Sequence, residues 1–399
     1  MSDLRAAVVG TGFIGRVHVE AIRRLGAQVV GLLGSAPGRA QPVADELGVP
    51  RVYRDLAELL GDDAVDVVHI ASPNHAHFDQ AKQALLAGKH VVCEKPLAMS
   101  SAETAELAGL ARASGRVAAV NYNARFYPQV TEARSRVLRG DLGDLRLITG
   151  SYRQDWLAES TDWNWRIESE AGGPLRSVAD IGSHLLDTLS FVTGARVTHV
   201  MADLMTFLPV RQRPTGPVET FASTSGAPTE PVEIRTDDAA ALLVRFENGA
   251  RGALVISQVS MGHKNSVEFE IAGSSSALAW SSESAEQLWL GHRHEPNQLL
   301  ARDPSLLSPA AASVAFLPGG HNEGFASSFK GLHRAVYESV VAQSGAGTAP
   351  QVPFASFDDG HQDALIMDAI LASAHSGSWT AVEAASPSAP SRPAESDNR

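Results

Sequence analysis

The chain has 399 residues, 44% hydrophobic and 20% charged, with a formal net charge of −12 at pH 7. The length suits two domains rather than one core, and the balance is that of a globular protein, not a disordered one. The negative field argues against nucleic acid as a partner, and the lone Cys93 excludes an intrachain disulfide and a cysteine-rich metal site.

No run of about twenty apolar residues is present to span a bilayer. The opening Met1-Ser2-Asp3-Leu4-Arg5 has no basic region leading into an apolar one. The expectation is a cytoplasmic protein with no membrane partner.

In chain order, residues 5–9, 29–33, 67–71, 90–93 and 117–121 read as buried strands, with amphipathic segments such as 75–87 and 102–113 between them. This alternation predicts a doubly wound parallel sheet of the Rossmann kind over residues 1–124. After Pro128 a helix is expected over 129–139, ending at Gly140. Strands follow at 145–153, 198–206, 239–246, 250–259, 266–272 and 287–290, with Asn248-Gly249 as a hairpin turn. Few helices separate them, so residues 125–383 are expected to form an α+β domain on a large, open, mostly antiparallel sheet. Late helices are expected over 325–341 and 359–373. Residues 211–231, rich in Pro, Thr and Ser, read as an exposed loop, and 384–399 as a disordered tail.

Gly10-Thr11-Gly12-Phe13-Ile14-Gly15 follows the first strand and opens a helix. Glycines let a backbone approach a pyrophosphate, and the helix N-terminus offers free N–H donors. The ribose end is less decided. An acid at the end of the second strand would favour NAD, but the sequence there is Gly34-Ser35-Ala36-Pro37-Gly38-Arg39. Ser35 suits a hydroxyl or a phosphate, and Arg39 suits a 2′-phosphate or plain solvent, so NAD and NADP both stay open. Ala71-Ser72-Pro73-Asn74 should line the cofactor, with His77 capping or bracing the loop. His75 and His77 lack a supporting acid or cysteine, so no metal is expected there.

The fourth strand runs into Glu94-Lys95-Pro96. Pro96 turns the chain away from the strand and aims Lys95 into the cleft, where a positive ring nearby would disfavour its charged form and suit it to proton transfer. The alternative is an ordinary surface Lys–Glu pair. Further on, Asp180 and His184 lie four apart, so a helix would put them on one side, as acid–histidine partners or as a helix cap and a packed ring. A Ser183–His184–Asp187 hydrolase is set aside, because adjacent helical residues point apart and no G-x-S-x-G elbow exists.

Tyr152-Arg153-Gln154-Asp155-Trp156 and Trp163-Asn164-Trp165-Arg166 pair aromatic walls with polar groups, as sugar sites do. Core or interface packing is the other reading of these tryptophans. Asn121, Asn123 and Arg125, at the end of the fifth strand, face the same crevice. His321, in a loop before a helix, is a weaker candidate.

Taken together, Gly10–Gly15, Ala71-Ser72-Pro73-Asn74 with His77, Glu94-Lys95-Pro96-Leu97 and Asp180-x-Gly-x-His184 resemble the Gfo/Idh/MocA oxidoreductase family. The resemblance spans nearly all of residues 1–380. It implies a Rossmann domain, an open-sheet domain that forms homodimers or homotetramers, and Lys95, Asp180 and His184 as the catalytic group. It places Lys95 near the nicotinamide as well, and cofactor contacts are further expected from Glu94, Asn123, Trp165 and Arg166. Substrate contacts would come from Lys95, Asn121, Arg125, Tyr152, Gln154, Asp155, Trp156, Trp163, Arg166, Asp180, His184 and His321.

Residues 152–166 are similar to levoglucosan dehydrogenase-like members, which implies oxidation at C3 of a glucose-like ring, with NAD. The expected partner is a small carbohydrate or polyol. Two alternatives are an NAD-dependent glycosidase that oxidises transiently, and a sugar sensor on the same fold.

Overall fold

Runs of aliphatic residues without polar alternation must be covered on both faces. Five such runs form β1 (Arg5–Val9), β2 (Gln28–Leu33), β3 (Val67–Ile70), β4 (His90–Cys93) and β5 (Ala118–Val120). The computed structural model describes residues 3–216 and 228–384. It places these strands in parallel in the order β5-β4-β3-β1-β2.

Successive residues face opposite ways. Ala6 and Val8 pack on α1 (Phe13–Arg24) and α2 (Pro37–Leu47), while Ala7 and Val9 share a core with α3 (Leu56–Leu60), α4 (His77–Leu86) and α5 (Ser101–Ser114). This is the doubly wound Rossmann sheet expected. The order reverses at β1, which pairs with both β2 and β3, so the crevice opens at the C-terminal ends of β1 and β3.

After α6 (Pro128–Arg139) the chain enters a nine-stranded sheet. Its order is β15-β14-β13-β12-β6-β11-β10-β7-β17, and it includes β6 (Leu145–Arg153), β7 (Val197–Met205), β10 (Ala239–Phe246), β11 (Arg251–Ser257), β12 (Ser266–Gly273) and β14 (Gln287–Gly291). All neighbours are antiparallel except β6 and β11. The β10–β11 hairpin turns at Asn248-Gly249, where Gly249 takes φ +90°.

The sheet's inner face packs on α6 and on α8 (Ser183–Thr193), which follows the short α7 (Ser169–Gly172). One continuous apolar cluster runs from the α1 face of the first sheet to this inner face.

Several elements were not legible in the sequence. β13 (Ala277–Ser281) and β15 (Gln298–Ala301) are short strands, the second at the sheet edge. Residues 211–231, expected as an exposed loop, instead begin and end as β8 (Val210–Pro214) and β9 (Thr229–Glu233), which pair antiparallel. Residues 217–227 of that stretch, and the expected tail beyond Ala384, lie outside the described residues.

After α9 (Pro309–Ser313), the late helices α10 (Phe325–Gln343) and α11 (Phe357–Ser376) return to the body, each longer than expected. Two-residue strands flank α11: β16 (Ala355–Ser356) pairs antiparallel with β5 on the first sheet, and β17 (Thr380–Ala381) pairs with β7 on the second. Among the described residues no helix is long and apolar enough to cross a membrane.

The β8 segment is anchored by charge. Arg211 and Arg176 both donate to the fully buried Asp238 carboxylate, whose other oxygen accepts the Leu208 N–H at 2.8 Å. Arg211 also donates to the carbonyls of Leu157 (2.8 Å) and Glu159 (2.9 Å), so it pins the 157–159 loop. Removing Asp238 strands two buried guanidinium groups. Asp238→Ala is therefore expected to lower unfolding free energy by about 3–5 kcal/mol. Urea denaturation would measure it, and a loss under about 1 kcal/mol would contradict the buried network.

Candidate active site

The glycine turn is shaped by contact. A Cβ on Gly10, at φ +110°, would lie 2.3 Å from the Ala71 carbonyl oxygen, and one on Gly15 would lie 2.0 Å from the Gly10 oxygen. A side chain at Gly10 would force the ends of β1 and β3 apart, and one at Gly15 would push α1 off the turn after β1. A Cβ on Gly12 would meet no atom within 4 Å, so here glycine leaves open space at the N-terminus of α1. Phe13 is exposed beside that opening, while Ile14 is half-buried. Bare backbone, open space and a helix N-terminus fit a dinucleotide pyrophosphate. Ser35 and Arg39 are both exposed past the end of β2, where a ribose would lie.

The next two loops are tied together. The His77 ring sits 2.8 Å from both the Ser72 and the Pro96 carbonyl oxygens, bracing the ends of β3 and β4. Burial lowers its pKa, against the pull of those two acceptors. Ser72 donates to Gln80 (2.6 Å), Pro73 is exposed, and buried Asn74 donates to the Gly172 carbonyl (3.2 Å), reaching the second part of the chain.

Glu94 is buried. Burial raises its pKa, but His18, Lys95 and Asn121 more than offset this and hold it below its usual value. It accepts hydrogen bonds from Asn121 and, at 3.1 Å, meets His18 Nε2.

The Lys95–Pro96 peptide is cis. Lys95 Nζ lies 2.8 Å from Asp180 Oδ1 and 2.6 Å from the Asp180 carbonyl oxygen. Arg166 Nε adds a bond to Oδ1 at 3.1 Å, and Gln258 Nε2 one to Oδ2 at 2.8 Å. Burial alone would raise the Asp180 pKa, but the charges of Lys95 and Arg166 hold it far below the carboxylate range.

Asp180 belongs to a widened turn over Val178–Gly182, in which the Ser183 N–H reaches back five residues to the Val178 carbonyl. Such widened turns are frequent at functional sites. Gly182 lets this turn close on β11, since a Cβ there would meet Ile256 Cδ1 at 2.8 Å.

The expected Asp180–His184 partnership takes a different form. Helical spacing would align them, but the widened turn breaks that register, and Asp180 spends its oxygens on Lys95, Arg166 and Gln258. The half-buried His184 ring instead lies between Tyr122 (centroids 5.4 Å, edge-on) and Tyr152 (6.3 Å). Among the described residues none hydrogen-bonds it. Burial and the Lys95 charge lower its pKa to about 3, so the ring is neutral near pH 7.

The aromatic stretch is partly in place. Arg166 stacks on Trp165 at 4.4 Å. Tyr152 Oη and Gln154 Nε2 both reach Asn265 Oδ1, at 2.7 and 2.8 Å, and the Trp156 indole donates to Gln154 at 2.7 Å. Trp156 and Trp163 also cover a small apolar cluster of Leu157, Ile167 and Ile234. Asp155 pairs with Lys264 at 2.7 Å and accepts the Gly262 N–H.

Three sequence candidates are otherwise engaged. Arg125, expected to touch substrate, is buried in an ion pair with Asp187 and also reaches Asp359 at 3.3 Å. Asn123, expected at the cofactor, is buried and donates to Ser328 on α10 at 2.7 Å. His321 is exposed, its ring 3.3 Å from the Gly319 carbonyl. Conversely, sequence reasoning missed Gln258, Asn265 and Tyr122. No motif marks them, and only the pairing of β11 and β12 with β6 brings the first two to the site.

Two family models match the chain: "Oxidoreductase family, NAD-binding Rossmann fold" over residues 4–122 and "GFO/IDH/MocA C-terminal domain" over 130–279. The levoglucosan dehydrogenase of Pseudarthrobacter phenanthrenivorans is 28% identical over 400 residues, covering 96% of this chain and 99% of that one. The D-glucoside 3-dehydrogenase of Escherichia coli is 33% identical over 195 residues, 48% of this chain and 55% of that protein. A solved levoglucosan dehydrogenase in complex with NADH and L-sorbose superposes with a TM-score of 0.83 at 27% identity, covering 95% of this chain and 99% of that one.

The neutral His184 has a consequence for stability. Unfolded, the ring titrates near pH 6.5; folded, it titrates at about 3. Between these values the unfolded state binds more protons, so stability falls as pH drops through that window. His184→Asn is expected to lose about 1 kcal/mol less stability than the parent between pH 7 and 5, the figure allowing for the part of the ring that reaches solvent. Urea titrations at the two pH values would measure the difference, and equal losses would contradict a neutral, partly desolvated ring.

Proposed function

The chain belongs to the GFO/IDH/MocA oxidoreductase family, and from that premise we propose that it oxidises a secondary ring hydroxyl of a glucoside or anhydrosugar, with Lys95, Asp180 and His184 as its catalytic group. It is an oxidoreductase with NAD as its cofactor. The sugar, the ring position and the residue roles are the proposal. Position 3 of a glucose-like ring is supported by the relatives acting on levoglucosan and glucosides, one of them named as a 3-dehydrogenase.

The observation that carries the reading is the junction of Lys95, fixed on Asp180, with an unpaired, neutral His184 beside it. When bound, NAD supplies the hydride acceptor. Gly10, Gly12 and Gly15 would hold its pyrophosphate, Ser35 and Arg39 its ribose, and Ala71–Asn74 with Glu94 and Lys95 the remainder.

Asp180 keeps Lys95 extended toward the crevice, where the ammonium can donate to the substrate hydroxyl oxygen and stabilise negative charge developing there. His184, neutral and without a hydrogen-bond partner among the described residues, can accept the hydroxyl proton. Arg166 and Gln258 hold Asp180 in turn, so they act as positioning residues. Trp156, Trp163 and Trp165 offer ring faces for a sugar's apolar side, and Gln154 and Tyr152 offer polar edges.

Two further points belong to this reading. The buried free thiol of Cys93 fits a reducing, cytoplasmic setting. The outer face of the large sheet fits an interface between copies of the chain. Cross-strand pairing puts Met201, Leu243, Ala253, Thr149, Glu270, Ala279, Trp289 and Leu299 in one row across that face. Within it Met201, Leu243 and Leu299 are 37–59% exposed, with Val255 and Leu147 nearby. Exposed apolar side chains repeating along strands mark an interaction surface.

Absorbance at 340 nm tests the chemistry, with NAD or NADP and a panel of glucosides, anhydrosugars and inositols. A substrate-dependent rise is expected, lowered roughly 10³-fold by Lys95→Ala and roughly 10²-fold by His184→Asn, with NAD binding retained. No rise on any sugar despite bound NAD would overturn the dehydrogenase reading in favour of a transient oxidation or a sensor. Light scattering on the eluting protein tests the assembly. The parent is expected as a dimer or tetramer, and Leu243→Glu with Val255→Glu as a smaller species; a monomeric parent would overturn the interface.

A further inference from the structure

Behind the crevice, on the α1 side of the first sheet, three histidines meet in the core. His18 comes from α1, His69 from β3 and His333 from α10, and all three are fully buried. We propose that they form a binding site for one first-row divalent transition ion of the zinc or cobalt class, joining α10 to the Rossmann sheet.

Each ring offers a nitrogen such that the three ligand atoms lie within 4.8 Å of one another. The ring centroids are 5.1, 4.8 and 4.7 Å apart. A tetrahedral ion with bonds of about 2.0–2.1 Å to three imidazoles would set their centroids about 5.2 Å apart, so the ring centres stand near that spacing, and the His333 nitrogen, within 4.8 Å of the other two, would turn inward on binding. His18 Nδ1 and His69 Nδ1 are 2.9 Å apart. They need to open by only a few tenths of an ångström to reach the tetrahedral edge of about 3.3 Å.

The outer contacts fit ligation. His18 Nε2 faces Glu94 Oε1 at 3.1 Å, and His69 Nε2 faces Tyr337 Oη at 2.9 Å. When each Nε2–H donates outward, both Nδ1 atoms carry lone pairs toward the cluster. A carboxylate or hydroxyl behind a ligating histidine fixes its tautomer and raises its basicity. Glu94 also brings a negative charge to offset part of the ion's.

A network of histidines alone explains less. Tyr337 could donate to His69, and His69 to His18, which closes that pair. His333 would still have both ring nitrogens buried without a hydrogen-bond partner among the described residues. A buried imidazole left in this way is destabilising. An ion bound by one of its nitrogens, beside His18 and His69, supplies the missing partner. Cysteine is not near and the donors are nitrogen, which suits zinc, cobalt or nickel rather than magnesium or calcium. The site is set back from Lys95 and Asp180, so its effect is on stability: an ion bound only by the folded chain raises the melting temperature.

The test uses the untagged full chain. Elemental analysis after dialysis, and after loading with cobalt, should give about one ion per chain, with the visible bands of a tetrahedral cobalt site. Chelation should lower the melting temperature of the parent. His333→Phe should weaken cobalt binding roughly tenfold or more and remove the effect of the chelator. Should that variant fail to fold, Tyr337→Phe, which leaves all three ligands, should still weaken cobalt binding measurably. A parent that retains no ion and gives no tetrahedral cobalt spectrum overturns the site, as does full cobalt binding by a folded His333→Phe chain.

Discussion

The arrangement of the whole crevice hangs on one largely buried carboxylate. Asp180 sits where both sheets meet, and an ionised group there is tolerated only if its oxygens are fully engaged. Three donors do this from three separate segments: Lys95 from the end of β4, Arg166 from the loop after β6, and Gln258 from the end of β11. Each donor needs its own strand or loop in register. The Rossmann sheet, the large sheet and the aromatic loop are therefore correct relative to one another or Asp180 is stranded. The same carboxylate sets the local field, since Lys95 and Arg166 hold it ionised while burial and Lys95 keep His184 neutral.

Legibility in the sequence followed the range of the forces involved. Gly10 and Gly15, the Glu94-Lys95-Pro96 corner and the Asn248-Gly249 hairpin are readable because local backbone geometry or close contact demands those residues, and Gly12 because it leaves the helix N-terminus open. The five parallel strands were readable because burial on both faces removes polar residues from them. Gln258 and Asn265 were not, because their place at the site comes from strand pairing in space, which one sequence does not display. The same limit hides the neighbours of Arg125 and Asn123, whose side chains are met by Asp187 and Ser328 from other elements. The ends of the 211–231 stretch form strands despite a loop-like composition, because a buried ion network outweighs composition at Arg211.

Asp180 and His184 show how a small change in winding alters an inference. At helical spacing the two would stack on one face and act as a pair. The turn over Val178–Gly182 is wound wider, and Gly182 allows it by pressing against Ile256. The carboxylate is thereby left to Lys95, and the imidazole to the two tyrosine rings. In the proposed chemistry this separation is useful. An imidazole bonded to a carboxylate would be the stronger base, but it would also be drawn toward its protonated form, which has no lone pair left to accept a hydroxyl proton. Held apart from Asp180 and desolvated, His184 keeps a free lone pair at neutral pH.

The aromatic loop raises a question of rigidity that the buried ion network answers. Residues 154–166 have little regular structure, and a loop of that length would ordinarily lose entropy on closing over a substrate. Here Arg211 holds the carbonyls of Leu157 and Glu159, Asp238 holds Arg211, and Trp156 and Trp163 cover the Leu157–Ile167–Ile234 cluster. The loop is thus fixed from behind by charge and by apolar contact, while Arg166 at its far end bonds Asp180. Much of the ordering is done when the chain folds. A sugar reaching the crevice would then meet ring faces and polar edges already positioned, and its binding free energy would go to orienting the hydroxyl beside Lys95 and His184 rather than to ordering protein.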